Sequence, residues 1–264
     1  MKPERRVGKV LWWNGKMVAP EQAVTSVFTH SLHYGLGAFE GIRCYKTQDG
    51  KLAVFRLDEH IRRLFDSCKI LELKIPYSVA EITQATLETV RKSGLDQDIY
   101  IRPLIYIGDG PLGVFPTFDP PVEVAIMTWV WGAYLGKEAK ENGARIKISS
   151  LTRGWVNSTM TKAKMTGGYT TGILAKLEVK RAGYDEALLL DTDGYVANSC
   201  YHGPSSTGRS SRRSRSTGRR LCSFRRKTSR DGNPPRRSTP SSWTPFLAAT
   251  PSTKTGSRTS ESVS

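Results

Sequence analysis

The sequence predicts two α+β domains followed by a tail that belongs to neither. Three observations lead there. Short β-favouring runs are punctuated by turn residues, as at Asn14-Gly15 and Thr192-Asp193-Gly194. Helical periodicity recurs between those runs instead of replacing them, which favours mixed layers over a bundle or a sandwich. Near residue 198 the composition shifts abruptly to Ser, Arg, Thr, Pro and Gly. The expected division is residues 1–135, residues 136–197 and the tail at 198–264.

In chain order, VLWWNGKMV at residues 10–18 reads as a hairpin, since Asn-Gly is the strongest two-residue turn signal. Residues 52–56 read as a strand. The helix that follows has Asp58 and Glu59 in its first turn and Ile61, Leu64, Phe65, Cys68 and Leu71 on one face. Ser78 and Glu81 make a capping box for a second helix, with Ile82, Ala85 and Val90 inward and Gly94 at its end. Residues 100–107 and 122–131 read as strands, and 131–136 as an exposed connection between domains. Further strands are expected at 145–151, 186–191 and 195–197, with a helix over 168–182 stopped by Gly183.

The 264 residues carry a net charge of +16, which first suggests an anionic partner. The charge is uneven: residues 201–264 hold 14 Lys+Arg against 2 Asp+Glu, whereas the rest of the chain is nearly balanced. The tail has too few apolar residues to offset roughly 1–2 kcal/mol of backbone entropy per residue, so it reads as disordered. It could bind nucleic acid non-specifically through its arginines, but it lacks the aromatic interleaving that stacks bases. Cys44, Cys68, Cys200 and Cys222 are too few and too scattered for a disulfide framework or zinc site. With no signal-peptide pattern and no apolar run of 18 residues, the expectation is a cytoplasmic protein that does not enter the membrane.

Four segments bear chemistry. TKAKMTGGY at residues 161–169 holds Lys164 and Tyr169, a buriable amine beside a phenol. HSLHYGLGAFEGIRCYK at 30–46 combines glycines that allow tight backbone paths with an aromatic wall. EHIRRL at 59–64 offers adjacent arginines, planar multi-donor cations suited to phosphate; Arg62 and Arg63 lie about 100° apart around the helix, so both cannot serve equally. In YIRPLIYIGDGPLGV at 100–114, strand alternation sets Tyr100 and Arg102 on one face as a receptor for a carboxylate. Glu59 and His60 read as structural.

Together these segments closely resemble the branched-chain aminotransferases, fold type IV enzymes that depend on pyridoxal phosphate. The resemblance runs through residues 11–197. It implies a two-domain α+β fold, a small N-terminal domain at 1–135 and the beginning of a large cofactor-binding domain at 136–197, left incomplete, with the cofactor in the cleft between them. It implies transfer of an amino group from leucine, isoleucine or valine to 2-oxoglutarate by a homodimer or higher homo-oligomer. On it, Lys164 forms the Schiff base with pyridoxal 5'-phosphate, Tyr169 bonds the cofactor's 3-oxygen and Arg63 its phosphate. The substrate pocket is implied to be lined by Tyr34, Phe39, Gly41, Arg43, Tyr100, Arg102, Trp131 and Tyr134, with Val114 on a loop that enters the neighbouring subunit's site. Sister enzymes of the same fold, acting on D-amino acids or aminodeoxychorismate, are the alternative within the class.

The likeness stops after residues 194–197, GYVA. Where the family continues with a glutamate that pairs with the pyridinium nitrogen, this chain has Asn198, followed by Ser-Cys-Tyr-His-Gly-Pro. The change of composition suggests a shifted reading frame; a fusion to a basic tail is the rival explanation. A chain so altered is expected to be impaired as a transaminase.

Overall fold

The computed structural model describes residues 6–114, 119, 121–131 and 142–199. The tail from residue 200 onward, and Tyr134 in the expected interdomain connection, lie outside the described residues.

The chain opens with the expected hairpin, β1 (Leu11–Trp13) and β2 (Lys16–Val18). Asn14 and Gly15 both take positive φ, 46° and 88°, as a two-residue turn matched to strand twist requires. A short helix α1 (His30–Tyr34) leads into β3 (Gly37–Phe39) and β4 (Ile42–Lys46). Then come β5 (Leu52–Val54), α2 (Leu57–Ile70) and α3 (Val79–Lys92). The fifth strand is shorter than the sequence suggests. Arg56 adopts a left-handed conformation (φ 51°) that turns the chain directly into α2. Helix α3 begins as expected, with Ser78 Oγ accepting from Glu81 N–H and the Glu81 carboxylate accepting from Ser78 N–H.

Two long strands, β6 (Ile99–Ile107) and β7 (Val122–Val130), pair antiparallel along their whole length. Seven strands form one sheet in the order β2-β1-β7-β6-β4-β5, with β3 also on β6. Alternation along β6 is complete: the odd-numbered residues Ile99, Ile101, Ile105 and Ile107 are buried, while Tyr100 and Arg102 share the other face. The buried face meets Ile61, Leu64 and Cys68 of α2 and Ile82, Ala85 and Val90 of α3, making the main core. Burying each such Ile or Leu contributes roughly 1.5–3 kcal/mol.

A second sheet is built from β8 (Ile146–Thr152), β9 (Glu186–Leu190) and β10 (Val196–Ser199), in the order β10-β9-β8. The parallel pairing of β8 with β9 requires a crossover, supplied by α4 (Thr170–Arg181). The helix expected over 168–182 begins instead as a 3-10 turn, Thr166–Tyr169, and becomes α-helical at Thr170. That turn is drawn against the first sheet: Gly167 N–H donates to the Gly35 carbonyl at 3.0 Å and Thr166 Oγ1 to the same carbonyl at 2.6 Å. Phe39 N–H donates to the Lys164 carbonyl at 3.1 Å. The strand end of segment 30–46 and the 164–169 turn therefore pack as neighbours, which positions the candidate site.

Candidate active site

Lys164 sits just before the 3-10 turn. Its backbone N–H is held by Ser67 Oγ of α2 at 3.1 Å. Its side chain is half-buried, whereas Lys162, two residues earlier, is exposed. Lys176, the other lysine of the segment, binds the Glu186 carboxylate at 2.8 Å. Lys164 Nζ donates to Tyr169 Oη at 2.6 Å and lies 4.8 Å from the centre of the Phe39 ring. Burial pushes the Lys164 amine below the ordinary lysine range; the Glu40 charge opposes this, and the Arg63 and Arg102 charges add to it. Burial raises the Tyr169 phenol, while Arg102 and Arg153 pull it back down. The amine is thereby readier than a surface lysine to lose its proton, beside a phenol that accepts its hydrogen bond.

Tyr100 and Arg102 share one face of β6, as strand alternation predicts. Arg102 stacks its guanidinium over Phe39 at 4.4 Å and near Tyr100 at 5.3 Å. Among the described residues its buried Nε has no hydrogen-bond partner, and leaving such a donor unpaired is costly. Tyr100 packs against Trp131 at 4.6 Å, edge to face. Gly41 has no room for a side chain, because a Cβ there would lie 1.7 Å from Tyr100 Oη. Arg43 is turned to the rim of this group, its Nη1 donating to the Trp131 carbonyl at 2.9 Å.

Tyr34 and Val114 form a second group. The Tyr34 ring stacks on His30 at 4.5 Å, and His30 Nε2 meets the Gly113 carbonyl at 2.9 Å. Both residues point outward; Val114 is 87% exposed. Arg63 is half-buried on α2, while Arg62 beside it is exposed, as the 100° offset demands.

Three residues that the sequence did not single out belong here. Glu40 is fully buried and grips Arg63 side-on, Nε to Oε1 at 2.6 Å and Nη2 to Oε2 at 2.8 Å. His60, read as merely structural, bonds the same carboxylate at 2.9 Å. Burial alone would raise the Glu40 carboxyl, but the His60 and Arg63 hydrogen bonds and the Arg63 charge hold it below the usual carboxylate range. Trp129 sits opposite Tyr100 in the β6–β7 register, with ring centres 5.0 Å apart. Arg153 lines a pocket together with Thr159, Thr161, Lys164, Tyr169 and Thr171. A carboxylate in an F-E-G run gives no cue that it will be buried, and the other two depend on register and pocket shape.

The mixed α+β fold thus sets a half-buried lysine against a tyrosine, among arginines and aromatic rings. Residues 37–203 match the amino-transferase class IV family, and the chain belongs to it. It is 46% identical over 188 residues to the branched-chain-amino-acid aminotransferase of Pseudomonas aeruginosa and 43% identical over 187 residues to that of Escherichia coli K12. In both comparisons 71% of this chain is covered, and the chain spans 60% of the relative's length. Among solved structures, the Escherichia coli branched-chain amino acid aminotransferase matches with a TM-score of 0.71 at 41% identity, covering 73% of this chain and 63% of that one. A second solved branched-chain amino acid aminotransferase, determined with pyridoxamine 5'-phosphate, matches with a TM-score of 0.69 at 47% identity and the same coverage. Among the described residues, no helix is long and apolar enough to cross a membrane, and no cluster of His, Cys, Asp and Glu could hold a metal ion. Cys44 and Cys68 are free and buried, their thiols pushed up by burial to about 11 and 12.

Proposed function

We propose that this chain carries the amino-group-transfer half-site of a branched-chain aminotransferase, acting on leucine, isoleucine or valine and on 2-oxoglutarate with pyridoxal 5'-phosphate. The observation that carries this reading is the Lys164 amine, half-buried, lowered in pKa and 2.6 Å from Tyr169 Oη. The residues suit the cofactor on two sides: Lys164 and Tyr169 for its aldehyde and 3-oxygen, and Arg63, with Arg153 lining the same pocket as Lys164, for its phosphate. In the sequence, Asn198 stands where the resemblance puts a glutamate, so no carboxylate is available there for a pyridinium nitrogen.

When bound, the cofactor supplies a carbonyl that takes up the amino group and a ring that accepts electrons. The chain's own groups do the rest. Lys164 takes the proton from the substrate α-carbon and returns it, a task that needs an amine of lowered pKa. Arg102 and Tyr100 bind and orient the carboxylate of the substrate or of 2-oxoglutarate. Phe39, Trp131 and, on the resemblance, Tyr134 exclude water from the aliphatic side chain. Tyr34 and Val114, turned outward, suit a second copy of the chain, consistent with a homo-oligomer. The two sheets would correspond to an N-terminal and a cofactor-binding domain. A cytoplasmic location fits this chemistry.

The test is reduction with borohydride after incubation with pyridoxal phosphate, followed by peptide mapping. Label is expected on Lys164. The labelled yield should reach half its maximum at a pH below that of a free lysine, near 10.4, because the unprotonated amine is the reactive form. Label on Lys162 or Lys176, with Lys164 clean, would overturn the assignment.

A further inference from the structure

We propose that Glu40 is a positioning residue that orients Arg63 toward a bound phosphate, and this rests on Arg63 being the phosphate anchor in the reading above. The geometry is specific. Residues 40 and 63 are distant in sequence but meet because β3 runs alongside α2. Glu40 leaves the sheet edge pinned, its backbone N–H donating to the Pro103 carbonyl at 2.9 Å. Its side chain is 0% exposed, so the carboxylate has no solvent and no freedom. Positions 60 and 63 are one turn apart on α2, so His60 and Arg63 reach the same carboxylate from one helix face.

Arg63 spends Nε and one Nη2 hydrogen on that carboxylate. A side-on, bidentate grip fixes the plane of the guanidinium, and among the described residues the opposite edge, including Nη1, takes no hydrogen-bond partner. The Arg63 side chain is 38% exposed, so that edge can reach a ligand. The Arg63 charge is also felt at both Lys164 and Tyr169. An arginine on a helix surface ordinarily samples many rotamers; here most of that freedom is removed before any ligand arrives. A phosphate then meets a donor edge already in place, which lowers the entropic cost of binding.

A buried ion pair can also be only a staple of the fold, so the test needs a readout that a staple would not move. Pyridoxal phosphate and pyridoxal differ only in the phosphate. Affinities for both would be measured by spectrophotometric titration of the 264-residue chain, with Lys164→Ala as background. The unsubstituted chain is expected to prefer the phosphorylated form, and Arg63→Ala to lose that preference. Glu40→Gln is expected to lose about tenfold of the preference while pyridoxal itself binds as before. If Arg63→Ala loses the preference and Glu40→Gln keeps it in full, Glu40 is a staple and the inference is wrong, while the reading of Arg63 stands. If the unsubstituted chain has no preference, or Arg63→Ala retains it, the reading of Arg63 falls and the inference with it. Should Glu40→Gln fail to fold by circular dichroism, Arg63→Lys decides. Lysine keeps the charge but cannot be gripped side-on, so loss of the preference supports orientation by Glu40 and full retention refutes it.

Discussion

Arg102 shows most directly how one residue's surroundings set its use. Its guanidinium is flanked by Phe39, Tyr100 and Trp129, and its buried Nε has no partner within the described residues. On the proposed function, a substrate's side-chain carboxylate would supply the acceptor. Arg102→Ala should therefore weaken 2-oxoglutarate and glutamate more than leucine. Loss of a hydrogen bond to a charged group costs on the order of 1.5–3 kcal/mol, so the expected difference is roughly 10- to 150-fold in kcat/KM. The measurement requires a chain with turnover, such as the extended form described below. Equal losses for both substrate classes would remove Arg102 from this role. Gly41 belongs to the same surroundings. A Cβ at this position would fall 1.7 Å from Tyr100 Oη, so Gly41→Ala must displace the phenol, and overpacking of this kind costs about 1–3 kcal/mol. A thermal melt indistinguishable from that of the unsubstituted chain would show that Tyr100 moves aside freely.

At the scale of elements, helices α2 and α3 were legible because their apolar faces repeat at helical spacing and their first turns carry acidic residues. The reciprocal Ser78–Glu81 cap stands as an isolated local device on an exposed helix end. Ser78→Ala should destabilise the protein by about 1 kcal/mol, read as a lower urea midpoint with an unchanged slope. A change in slope would mean that α3 unfolds separately from the sheet it covers. The strands of segment 30–46 were not legible as strands. Gly37–Phe39 lacks alternation because β3 is buried throughout, packed between β6 and the Lys164 turn, whereas Ile42–Lys46 does alternate, with Ile42 and Cys44 buried. The expected helix start at Gly168 was displaced to Thr170 by contacts with Gly35, which no local rule contains.

The whole molecule is uneven. The first sheet is covered by two helices over an extended apolar core, whereas the second has three strands and a small core of Ala175, Val179, Ala187 and Leu189. On α4, Ile173, Leu174 and Leu177 remain exposed, as do Ile148 and Val196 of the second sheet. Exposed apolar surface on this scale favours association. The chain as it stands is therefore expected to be poorly soluble and to turn over little leucine. Replacing residues 198–264 with the corresponding C-terminal part of a curated relative should give a soluble oligomer with transaminase activity. Gel filtration and a leucine/2-oxoglutarate assay of the two chains side by side check this. A soluble, equally active 264-residue chain would show that residues 198–264 complete the fold in another way.

The sequence by itself determined the kind of protein. Hairpin turn, amphipathic helices and strand alternation depend on neighbours a few residues apart, so they can be read locally, and they carried the α+β class and the Tyr100–Arg102 face. The four motif segments carried the resemblance to aminotransferases, and with it Lys164, Tyr169 and Arg63. Tertiary structure decided which groups act on one another. That Glu40 is buried, that it holds Arg63 side-on with His60 behind it, that Trp129 faces Tyr100, and that Arg153 shares a pocket with Lys164 all follow from pairings between distant segments. The physical reason is that burial and charge pairing are properties of where chain segments meet. A carboxylate in an F-E-G run looks like any surface glutamate until the sheet and α2 close over it.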